Sequence, residues 1–146
     1  MVKMQKDYSN IEIKFVDDWD ENEIVSLYKA GNWWKDNYDS ATIKFLIKGS
    51  YKFAVVIKKD EGKAIGMGRL ISDGVSDAYI QDLVIIEDYR GQGLGKKLVN
   101  HLVDHCISKG INWIGLISEP GQDKFYYYCG FSKMKKHIPM KFNIDD

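Results

Sequence analysis

Apolar and polar residues alternate in "IEIKFV" (11–16), the period-two pattern of a half-buried strand. The period then lengthens in "DWDENEIVSLYKAG", which predicts a helix. Asp20 and Glu23 stand as a capping box, Trp19 and Ile24 as a hydrophobic staple, and Gly31 marks the end. "SATIKFLIKG" predicts a shorter helix from Ser40 to Gly49. "YKFAVVIKK", "KAIGMGRLIS" and "AYIQDLVII" read as three strands of an antiparallel meander, the first two joined by the turn "DEG". From Gly93 to Lys109, the residues Leu94, Leu98, Val99, Leu102, Val103, Cys106 and Ile107 fall on one helical stripe, and Gly110 closes it. "INWIGLIS" (111–118) predicts a strand, "QDKFYYYC" a short helix and "FSKMKKHI" a last strand. The order is β-α-α-β-β-β-α-β-α-β. A long helix between two strands implies one parallel pair in a mostly antiparallel sheet, an α+β (mixed α/β) class with flanking helices.

Composition narrows this without redirecting it. With 146 residues, 45% hydrophobic and 29% charged, and no repeat or linker, the chain is expected to be a single domain over 1–146. Lys plus Arg equals Asp plus Glu at 21 each. That balance removes the electrostatic case for nucleic acid or an anionic membrane as partner. No apolar run approaches ~18 residues, so no membrane span is expected. "MVKMQKDYSN" shows no signal-type apolar core, and Cys106 and Cys129 make no disulfide framework. A reduced, cytoplasmic protein is the expectation.

Candidate chemistry begins at "EDYRGQGLGKK" (87–97), where three glycines stand at the mouth of a helix although glycine costs roughly 1 kcal/mol there relative to alanine. The first helical turn offers N–H groups without intrahelical partners and a positive dipole end. Glycines let a phosphate approach that backbone, and Arg90 and Lys96 add charge. A plain strand-to-helix turn would use glycine as well. Two phosphate motifs fail on the letters. A P-loop needs four residues between its glycines and a hydroxyl after the lysine, and Lys97 stands there. A dinucleotide fingerprint needs repeated βαβ units.

The pattern that fits is R/Q-x-x-G-x-G/A, met as Arg90-Gly91-Gln92-Gly93-Leu94-Gly95. Here the chain resembles the GNAT superfamily of acetyl-CoA-dependent N-acetyltransferases. "FYYYCGF" (125–131) is similar to that family's F-Y-x-x-x-G-F block. The resemblance is clearest from residue 79 to 131, and the element order agrees. It departs at Glu119, where many members carry asparagine, and at Glu87, where proline is usual.

The resemblance implies the GNAT fold, acetyl-CoA as co-substrate with no metal, and direct acetyl transfer to an amine in a ternary complex. The acceptor would be a small molecule, a peptide N-terminus or a lysine, and the enzyme a monomer or homodimer. A coenzyme A-binding sensor or assembly module of the same fold is the alternative. Backbone N–H groups of Gly91, Gln92, Gly93, Leu94 and Gly95 would hold the diphosphate, with charge-assisted contacts from Arg90 and Lys96. Leu83, Val84 and Ile85 would pair with the pantetheine arm, with a strand amide steadying the oxyanion. Tyr126 would be the general acid and contact the cofactor, while Tyr127 and Tyr128 point elsewhere. Asp82 is the first candidate base and Glu119 the second. In an ideal strand Tyr79 and Gln81 face away from Asp82, so the three cannot serve one site.

"GNWWKDNYD" (31–39) sets Trp33, Trp34 and Tyr38 where the family often borders its acceptor pocket; they read equally as a satellite hydrophobic cluster. Tyr28, Trp33, Trp34, Asp82 and Glu119 are the acceptor-site candidates. His101 and His105, at i and i+4, are expected on a solvated helix face rather than on a metal. Cys106 is expected in the core, and Cys129 beside the Tyr126 turn leaves an acyl-cysteine route conceivable, with direct transfer preferred. "KMKKH" (133–137) reads as an exposed strand face from which Lys133 could reach the cofactor's phosphates.

Overall fold

Residues 7–144 are described in a computed structural model, in which five strands run in the spatial order of the sequence. They are β1 (Ile11–Phe15), β2 (Lys52–Lys58), β3 (Lys63–Ser72), β4 (Asp77–Ile85) and β5 (Trp113–Gly115). Neighbours are antiparallel except β4 and β5, the parallel pair expected from the helix between them. Compact packing divides the chain after Leu116, and the part from Ile117 onward forms a second unit.

The first unit is built on strand alternation. Phe53, Val55, Ile57 and Met67 point to one face, where α1 (Glu21–Ala30) and α2 (Ile43–Gly49) add Ile24, Leu27, Ile43 and Ile47 to one buried cluster. α3 (Leu94–Ser108) covers the other face, burying Leu94, Leu98, Val99, Leu102 and Cys106. The stripe stops short of its expected length, since Ile107 is 62% exposed.

Local chemistry sets the ends of α1. Asp20 caps it by accepting from the Glu23 N–H at 2.9 Å. Glu23 does not close the expected box; its carboxylate accepts instead from the Trp19 indole at 3.2 Å and from the Ala64 N–H at 2.8 Å, joining helix to sheet. Gly31 ends the helix for a steric reason, because a Cβ there would meet the Trp33 ring at 2.5 Å. The left-handed residue is the next one, Asn32, with φ 62.

The expectation for the helix histidines is overturned as well. His101 and His105 do not lie on a solvated face: they pack on Phe15 with ring centroids at 4.6 and 5.1 Å, and His105 also meets Tyr51 at 5.6 Å. Burial lowers both imidazole pKa values below the ordinary 6.5. Asp104 opposes this at His101, whereas Lys52 and Lys109 reinforce it at His105. The folded state therefore favours neutral rings, and the unfolded chain takes up protons first as the pH falls below 6.5. Melting temperature is expected to fall between pH 7.5 and 5.5, and His101→Gln with His105→Gln should flatten that slope; an unchanged slope would reject the assignment.

The second unit holds α4 (Asp123–Tyr128) but not the expected last strand. Over 131–138 the backbone turns at Lys135–Lys136, with Lys136 left-handed at φ 68 and the His137 N–H bonded back to Met134. Pro139 then removes a further donor. The "KMKKH" stretch is exposed, but as a turn rather than a strand face.

Candidate active site

After β4 the chain makes one 3₁₀ turn, Glu87–Tyr89, and enters α3 through Arg90–Gly93. Gly91 and Gly93 both take left-handed backbone, φ 76 and 84, which a residue with a Cβ adopts only at a cost. Gly93 caps α3 with no side chain to satisfy the first-turn N–H groups. A left-handed residue followed by right-handed Leu94 turns successive N–H groups into one concavity, the nest geometry that accepts anions. The Leu94 side chain is buried in the core, so its contribution to a ligand would be its backbone alone. Arg90 spends its Nε on the Ile85 carbonyl at 2.7 Å, which ties the loop to the end of β4. The donor set (helix-start amides, Arg90 and Lys96 in one short loop) fits a diphosphate.

β4 and β5 pair only from Asp77↔Trp113 to Tyr79↔Gly115. From Ile80 to Ile85 the β5 side of β4 has no strand partner among the described residues, so the sheet opens beside Leu83, Val84 and Ile85. The Ile85 carbonyl on this edge is already engaged by Arg90.

A bulge at the same place corrects the ideal-strand expectation. The β3–β4 register slips between Met67 and Arg69, and Asp82 takes φ 56 as the extra residue. Alternation is broken there, so Gln81 and Asp82 share a face. Arg69 donates from Nε to Asp82 Oδ2 at 2.7 Å and from an Nη to Gln81 Oε1 at 3.3 Å. Tyr79, two residues before Gln81, keeps Gln81's face. Tyr79, Gln81 and Asp82 thus lie on the α1 side together.

From α1, Tyr28 donates its hydroxyl to the same Asp82 Oδ2 at 2.7 Å. Burial and then the Asp82 charge raise the Tyr28 pKa far above its ordinary value, so this phenol stays a donor. Both bonds fall on Oδ2; Oδ1 takes none among the described residues. Around Tyr28 stand Trp33 and Trp34, at 6.3 and 6.4 Å between centroids, and Tyr38 meets Trp34 edge-on at 5.4 Å. The two tryptophans pack against the core cluster while Tyr38 remains exposed. Arg69 was not foreseen from the sequence. Its signal was a lone charge inside the apolar run "AIGMGRLI".

In the second unit, Tyr126 lies between Phe125 and Phe131, centroids at 5.0 and 5.9 Å. Burial first, then Cys129 and Glu119, pushes its pKa up to about 12. Tyr127 and Tyr128 are exposed, as the helical spacing implies. Glu119 offers its carbonyl to the Gln122 N–H at 3.0 Å in the turn leading to α4. No group of three or more His, Cys, Asp or Glu among the described residues could hold a metal, and none of the described helices is long and apolar enough to cross a membrane.

Residues 13–131 match the model of the acetyltransferase (GNAT) family. The chain belongs to the GNAT family. A GCN5-related N-acetyltransferase 2 of chloroplasts from Arabidopsis thaliana is 34% identical over 118 residues, covering 77% of this chain and 45% of that protein. An uncharacterized N-acetyltransferase ycf52 from Pyropia yezoensis is 34% identical over 112 residues, 76% of this chain and 64% of its own. The chain thus spans less than two thirds of the length of these relatives. A GNAT family acetyltransferase structure from Streptococcus pneumoniae TIGR4 superimposes with a TM-score of 0.74 at 23% identity, covering 90% of this chain and 96% of the other, a likeness of fold. The α+β class expected from the element order and the GNAT fold implied by the resemblance are what this member adopts, one strand short among the described residues.

Proposed function

We propose that this GNAT protein transfers an acetyl group from acetyl-CoA to a primary amine by direct attack. The observation that carries the reading is the pairing of an anion-binding nest at Gly91–Lys96 with an unpaired β4 edge directly before it. The nest suits the diphosphate and the edge suits an extended amide-bearing arm. An oxyanion facing a β4 amide would gain about 2.7–4 kcal/mol, the loss seen when such donors are removed in other enzymes. The bound thioester supplies an activated acyl group with a thiol as leaving group.

Each residue then has one task. Asp82 Oδ1 receives the proton that the attacking nitrogen sheds, while Arg69 and Tyr28 fix the carboxylate through Oδ2. Tyr126, by its match to the family's general acid, donates a hydrogen bond to the sulfur as the C–S bond breaks and the C–N bond forms, so that coenzyme A departs as a stabilised thiolate. Tyr28, Trp33 and Trp34 border the acceptor, with Glu119 as a further contact. The acceptor is a small amine, a peptide N-terminus or a lysine side chain, and the enzyme acts as a monomer or homodimer.

The test is release of free coenzyme A thiol from acetyl-CoA over a panel of arylalkylamines, polyamines, amino acids and lysine peptides. Amine-dependent release above hydrolysis is expected. Micromolar affinity for coenzyme A without release across the panel would favour the sensor reading, to which the occupied Oδ2 of Asp82 lends some ground.

A further inference from the structure

The segment before β1 plays no part in that mechanism, yet Tyr8 reaches the diphosphate loop across 84 positions of sequence. Its hydroxyl donates to the Gln92 carbonyl at 2.8 Å. Gln92 stands between the two left-handed glycines. In a trans peptide the carbonyl and the following N–H point to opposite sides. With the Gln92 oxygen held toward Tyr8, the Gly93 N–H is held away from it. Glycine accepts either sign of φ, so the Gln92–Gly93 peptide would otherwise flip readily.

Tyr8 is itself secured. Lys97 Nζ sits 4.6 Å from its ring centroid. The Tyr8 carbonyl accepts from the Ile11 N–H at 2.9 Å, and Asn10 accepts from the Lys59 and Asp60 N–H groups at 2.8 and 3.0 Å. At the end of β2, just before the turn to β3, Lys58 Nζ lies 5.6 Å from the Tyr89 ring. Two segments distant in sequence therefore brace residues 89–92.

We propose that Tyr8 is a positioning residue for diphosphate binding, selecting the peptide orientation in which the Gly93 N–H joins the nest. The inference rests on the coenzyme A reading of the loop. Tyr8→Phe keeps the ring over Lys97 and removes only the hydroxyl. Calorimetry on the full chain should show coenzyme A bound about fivefold more weakly, the worth of one ordinary hydrogen bond. In the ligand-free variant the Gly93 amide resonance should shift or broaden. KM for acetyl-CoA should rise by a similar factor with kcat and the amine KM within twofold, whereas general loosening would move all three. Wild-type affinity in the variant, or weakened binding with an unmoved Gly93 resonance, would overturn the proposal. A wild-type chain without affinity for coenzyme A would remove the underlying reading instead.

Discussion

Tyr126→Phe is expected to lower kcat about a hundredfold and leave the coenzyme A Kd within twofold. The hydroxyl is the only atom removed, and the ring contacts with Phe125 and Phe131 that seat the side chain persist. A coenzyme A thiol has an unperturbed pKa near 8.5, whereas this phenol is pushed up to about 12. Proton transfer from it to a free thiolate is therefore uphill. Its benefit comes from a hydrogen bond that strengthens as charge grows on sulfur, which places the loss at the low end of the usual ~10²–10⁴ range for acid catalysis. The raised pKa also fixes a pH signature. Because the phenol keeps its proton until about pH 12, any alkaline fall in kcat below that must come from another group. A phenylalanine variant as active as wild type would strip Tyr126 of its role while leaving the cofactor reading intact.

What the sequence made legible follows from the range of the interactions involved. The buried face of α3 and the central strands is written in local periodicity, because burial repeats every 3.6 or two residues. The glycine loop was equally readable, since a left-handed residue leaves its mark in the letters. The Asp82 bulge was not. Asp82 is an acceptable left-handed residue, but its φ of 56 arises from the β3 register, where Gly68 sits opposite the extra residue. Without the slip, the period-two rule sends Gln81 to the wrong face. Arg69 and Tyr8 were hidden for the same reason, as their partners lie 13 and 84 positions away. The histidine error was one of context: polar residues opposite an apolar stripe read as solvated until β1 supplies Phe15. The last strand failed because alternation in "FSKMKKHI" offers a pattern, while a turn at 135–136 and Pro139 decide the backbone.

Asp82 separates structure from chemistry, and two substitutions divide them. Asp82→Ala leaves the Arg69 guanidinium and the Tyr28 hydroxyl without their shared acceptor, and puts a Cβ-bearing residue with no local hydrogen bond at φ 56. Breaking a buried pair costs about 3–5 kcal/mol. With these side chains 17% and 22% accessible, water recovers part of that, and a loss of about 2–3 kcal/mol is expected in denaturant melts. Asp82→Asn tolerates the left-handed backbone and keeps an oxygen for Tyr28 or Arg69, so roughly 1 kcal/mol should go. Catalysis should not follow this order. If Oδ1 takes the amine's proton, both variants lose it alike, and kcat/KM should fall about a hundredfold in each despite their unequal stability. Activity that tracks stability instead, with Asn near wild type, would reduce Asp82 to holding Arg69 and Tyr28 in place and pass the proton to water.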